Sequence, residues 1–115
     1  MKIMIMLVAI LAISAPSSEA FTYRVNSRSE SRYQNIRRAA IDGTYTLDAN
    51  EVLERVQFTH NVGFVQGDWT NSAPLKWSTS YGDPDLKTYQ IDFTVRNLRT
   101  NIVRKYSTSK YTWGR

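Results

Sequence analysis

No cysteine occurs anywhere in the 115 residues, and there is a single histidine, His60. The first absence excludes disulfide scaffolds, thiolate zinc sites, thiol nucleophiles and iron–sulfur ligation. The second leaves one imidazole for any proton-transfer chemistry. The five glycines are scattered at positions 43, 63, 67, 82 and 114, so no loop is glycine-rich enough to cradle a phosphate. No serine sits in a Gly-x-Ser-x-Gly elbow, and no Asn-x-Ser/Thr triplet offers an N-glycan acceptor. Enzymatic activity, a metal site and an organic cofactor are therefore not expected.

Apolar residues, at 42%, and aromatics, at 12%, lie well above the disordered regime and call for a packed core. The chain length suits one domain. Met1 and Lys2 give a short positive start, residues 3–13 are an unbroken apolar run, and Pro16 stops any helix. Ser18 and Ala20 then place small residues at the −3 and −1 positions of a cleavage site. This order is that of a secretory signal peptide over residues 1–20, with cleavage before Phe21 and a single secreted domain over residues 21–115. A transmembrane anchor is the competing reading, but it needs about 20 apolar residues in a row.

In the exported part, Tyr89, Ile91, Phe93 and Val95 alternate with Gln90, Asp92, Thr94 and Arg96. Side chains on a strand point to opposite faces in turn, so this is a half-buried strand. Val52, Val56, Phe58 and Val62 share one face of a second strand, with Glu51, Leu53, Arg55, Gln57 and Thr59 opposite. Residues 21–25, 44–47, 75–78, 102–106 and 111–113 are further short strands rich in β-branched and aromatic residues. Turn chemistry falls at Asp42 and Gly43, at residues 48–50, at Gly67 and Asp68, and at residues 82–85. This spacing predicts an all-β domain, a small antiparallel sandwich or barrel.

Residues 27–41 read two ways. Ser27 and Glu30 fit a helix capping box, with Tyr33, Ile36 and Ala40 at helical steps and Gly43 as a stop. The reading favoured by the β context is an exposed loop leading into a strand from Tyr33 to Ala40.

Candidate chemistry is sparse. His60 reads as a structural histidine at a sheet edge, the alternative being a small hydrolase centred on it. Asp83, Pro84 and Asp85 read as a tight turn rather than a calcium loop. The charge distribution is more informative. Residues 21–41 hold five arginines against one glutamate, residues 42–95 hold three cations against eight acids, and residues 96–115 hold six cations and no acid. Arg96, Arg99, Arg104, Lys105 and Lys110, with Tyr111 and Trp113, are the candidate binding residues for an anionic surface or an extracellular protein. The bland alternative is a solvated basic face that keeps the domain soluble. Nucleic acid is not an expected partner of an exported chain. A membrane-active cationic toxin or antimicrobial protein is the second functional reading. The oligomeric state stays open.

The order of residues 37–45, residues 53–59, the alternating strand at residues 91–95 and the closing Trp113, Gly114 and Arg115 resembles the multiprotein bridging factor 2 family of small secreted insect proteins. The resemblance implies a cysteine-poor, β-rich domain released into saliva, venom or haemolymph. It carries no catalytic residues over to this chain.

Overall fold

The computed structural model describes residues 21–114; the signal peptide expected over residues 1–20 lies outside them. Nine strands follow one another: β1 Thr22–Tyr33, β2 Ile36–Thr46, β3 Glu51–His60, β4 Gly63–Gln66, β5 Asp68–Trp69, β6 Lys76–Asp83, β7 Thr88–Asn97, β8 Val103–Ser107 and β9 Tyr111–Thr112. One sheet runs β9–β7–β3–β4, with β8 paired to the same edge of β7 as β9; the other runs β1–β2–β6–β5. Every pairing is antiparallel. The two sheets pack face to face as a β-sandwich without closing into a barrel. Among the described residues no helix is long and apolar enough to cross a membrane.

Strand β7 is the centre of its sheet and follows its sequence pattern: Tyr89, Ile91, Phe93 and Val95 are all buried. They face Ile41, Ala39 and Trp77 of the opposite sheet, with the Trp77 ring edge-on to Phe93 at 5.1 Å. Phe21 closes one end of this core against Phe93 and Tyr106.

Strand β3 departs from its expected face assignment. Leu53 pairs with Val95 but Arg55 pairs with Thr94, so Glu54 is a bulge with no residue opposite. The extra residue reverses the alternation within one strand. Glu51 and Leu53 point inward before the bulge, and Val56 and Phe58 after it. Leu53, expected among the polar residues, is 2% exposed, whereas Val52 is half-buried and Val62, in the turn beyond the strand, is 59% exposed.

Residues 27–41 form no helix; the expected strand is present from Ile36 onward, but the stretch before it, expected as a loop, is strand as well, up to Tyr33. β1 and β2 make one long hairpin through this region, turning at Gln34 and Asn35, with Gln34 in the left-handed region at φ 56°. The capping-box residue Glu30 instead accepts hydrogen bonds from Tyr89 Oη at 2.6 Å and from the Gly114 amide at 2.9 Å, fastening the C-terminal segment to β1. Burial and Glu30 push the Tyr89 hydroxyl up to about 12.

The turn expected at Asp42 and Gly43 lies inside β2, paired with Ser78 and Trp77. Glycine is required there because a Cβ would overlap the Arg24 carbonyl oxygen and crowd the Trp77 ring.

Candidate functional site

Five residues separate β7 from β8, and their backbone is tied down from within. Asn97 Oδ1 accepts from the amides of Arg99 and Thr100 at 2.9 and 3.0 Å. The Asn101 amide returns to the Asn97 carbonyl at 2.7 Å, with Asn101 at φ 61°. The Leu98 amide donates to the Asn50 carbonyl at 2.7 Å, anchoring the turn to the neighbouring loop. With every one of these groups satisfied inward, the side chains are displayed outward. Leu98, Ile102 and Val103 are 65%, 49% and 42% exposed, and Arg99, Arg104 and Lys105 lie at the same end of the sheet.

The structure divides the seven candidate binding residues. Arg96 is committed to holding the turn: its Nε donates to Glu54 at 2.6 Å and its Nη1 to Asn101 Oδ1 at 2.6 Å. Arg99, Arg104 and Lys105 are all at the β7–β8 end, but Arg104 and Lys105 leave β8 on opposite faces, Lys105 with Val103 over the outer face and Arg104 with Ile102 on the inner side. Lys110 is exposed in the loop before β9. Tyr111 and Trp113 belong to the opposite end. On β7, Arg96 pairs with Val103 and Tyr89 with Tyr111, a separation of about 23 Å at about 3.3 Å per residue. There the Tyr111 ring packs on Tyr89 beneath the Arg28 guanidinium, 4.7 Å from its centroid. The Trp113 indole donates to the Arg38 carbonyl at 3.2 Å under Arg37.

A cation that sequence reasoning passed over lies beside the first group. Arg55 is opposite Thr94, and Thr94 is opposite Lys105, so the three form one row across the outer face of β3, β7 and β8. They line a groove of about 640 Å³ that also reaches Arg96, Trp69 and Val103. Nothing in the sequence marks Arg55, which sits in the acidic middle segment; only strand register brings it to Lys105. The next row holds Asp92, whose carboxylate accepts from Thr59 at 2.5 Å, Ser107 at 2.6 Å and Gln90 at 2.8 Å. Burial alone would push the Asp92 carboxyl up, but the bonds from Ser107, Thr59 and Gln90, with nearby Lys105, hold it below the ordinary carboxylate range.

His60 ends β3 on the inward side, stacked on Tyr81 of the other sheet at 4.0 Å and 14°. Tyr81 Oη donates to Asp83 at 2.9 Å, and the other Asp83 oxygen accepts from the Asp85 amide at 2.7 Å, the bonding of a tight turn. Burial lowers the His60 imidazole from its ordinary value, and Asp83 opposes that shift. Among the described residues no group of three His, Cys, Asp or Glu is placed to hold a metal ion. A separate groove of about 520 Å³ on the outer face of the other sheet is lined by Asp42, Asp68 and Lys76.

No protein-family model, curated protein or solved structure matches the chain.

Proposed function

We propose that the protein is a small secreted, non-enzymatic interaction protein that docks reversibly on anionic membrane surfaces through the β7–β8 end. The family resemblance implies saliva, venom or haemolymph as its fluid. The observation that carries the docking surface is the exposure of Leu98 and Ile102 on a tied-down turn and of Val103 at the start of β8, at the same end as Arg99, Arg104 and Lys105. Exposed apolar side chains with cations nearby suit the boundary between acyl chains and anionic headgroups.

Magnitudes decide between docking and insertion. Each cation near an anionic surface contributes about 1 kcal/mol. Leu98 and Ile102 contribute about 1–2 kcal/mol each on leaving water. The total, about 5–7 kcal/mol, is that of a reversible anchor and falls far short of a membrane-spanning segment.

Co-sedimentation with vesicles tests this reading. Binding to phosphatidylserine-containing vesicles should exceed binding to pure phosphatidylcholine at least tenfold, and the pair Leu98→Ser and Ile102→Ser should remove most of it. Retention on heparin, which has no apolar layer, should be unchanged by that pair. Equal loss on heparin and on vesicles would overturn the membrane reading. Dye leakage from the same vesicles would favour the membrane-active toxin instead.

A further inference from the structure

We propose that the row of Arg55, Thr94 and Lys105 is a phosphate-binding site that takes the phosphorylated headgroup of a lipid at the docked membrane. This deepens the docking proposed above and rests on it.

The register is the first support. Neighbouring strands lie about 4.8 Å apart, so Arg55 and Lys105 flank Thr94 at about 5 Å on either side. Both cations are long enough to converge over the Thr94 hydroxyl. Among the described residues Arg55, Lys105 and the Thr94 hydroxyl make no hydrogen bond or close ion pair, Lys105 acting only as a charge near Asp92. An arginine fork on one side and a point charge on the other, with a hydroxyl beneath, match the oxygens of a phosphate monoester.

The surrounding acids are already engaged. Glu54 is paired with Arg96 at 2.6 Å, and Asp92 spreads its charge over three donors. The groove's size is the second support. About 640 Å³ is far more than inorganic phosphate fills and is in the range of a phosphorylated polyol. Position is the third. Val103 lines the groove and is itself 42% exposed, so a headgroup in the groove has an apolar side chain at its edge.

The test compares vesicles of equal surface charge, one set carrying phosphatidylinositol bisphosphate and the other phosphatidylserine alone, and adds calorimetry with soluble inositol trisphosphate. The wild type should prefer the bisphosphate vesicles at least fivefold, and the soluble probe should bind and compete. Arg55→Lys keeps the charge but loses the fork. It should abolish the preference while binding to phosphatidylserine vesicles stays within twofold. Arg55→Gln with Lys105→Gln should weaken the soluble probe about tenfold or more, and Asp68→Asn in the separate acidic groove should change nothing. Vesicle binding without any preference would overturn the groove site and leave the docking turn standing. Binding of the soluble probe without binding to either vesicle would overturn the docking and place the groove's phosphate on a soluble ligand. Unchanged thermal midpoints of the exposed variants show that folding is not what has been altered.

Discussion

At the scale of single residues, His60 and Asp92 each make the stability of this sandwich sensitive to acid. His60 is lowered from its ordinary value near 6.5 by burial against Tyr81, so the unfolded chain binds the proton more readily than the folded one. Stability should therefore fall as pH drops through the region of about 6.5, and His60→Phe should flatten that part of the profile. Asp92 is likewise held below its ordinary value, so its contribution is present above about pH 4 and is lost as pH falls through the lowered value of the folded state. Asp92→Asn should remove this second step and cost about 1–2 kcal/mol, because one amide cannot replace three bonds to a carboxylate. Urea unfolding across pH 3 to 8 reads both. The sequence reads His60 as a structural histidine at a sheet edge but does not show Tyr81 beneath it. The part played by Asp92 was not legible, because its three donors come from three different strands.

At the scale of elements, β7 and β3 show what alternation can and cannot carry. β7 has no irregularity, and its period of two survives directly as a buried face. β3 has the same composition of apolar and polar residues, but Glu54 breaks its period, and a bulge leaves no unambiguous mark in a single sequence. Deleting Glu54 sets Leu53 and Val56 two residues apart with Arg55 facing out between them, so the strand regains an unbroken period of two and both side chains should stay in the core. Leu53→Ala instead opens a cavity, and unfolding by guanidinium should show a loss of about 2–5 kcal/mol for it and a clearly smaller loss for the deletion. The β1–β2 hairpin carries a different lesson. Its Ser27 and Glu30 obey helix-capping chemistry locally, yet Glu30 is claimed by Tyr89 and Gly114 far along the chain. Glu30→Ala leaves the part-buried Tyr89 hydroxyl without its acceptor and should cost about 2 kcal/mol, with loss of amide protection at Gly114.

At the scale of the whole molecule, the charge segregation read along the chain folds into a more specific pattern. The acid-free segment from residue 96 onward is cut in two by β7: Arg99, Arg104 and Lys105 go to one end with the apolar turn, while Tyr111 and Trp113 pack under arginines of β1 and β2 at the other. The all-β class and the basic character of the β7–β8 end were readable from pattern and composition. The company of Leu98, Ile102 and Val103 was not, because their exposure depends on Asn97 turning its amide acceptor inward. Arg55 was unreadable for the same kind of reason, since pairing places it and sequence distance hides it.

The absence of cysteine allows a direct measurement of which surface meets a membrane. A single cysteine introduced as Leu98→Cys, and separately as Lys87→Cys, is labelled with an environment-sensitive fluorophore and mixed with phosphatidylserine vesicles. Docking through the β7–β8 end predicts a blue shift and a rise in emission for the label at 98, with the label at 87 unchanged. Identical spectra for both labels with and without vesicles, or a shift at 87 alone, would contradict it.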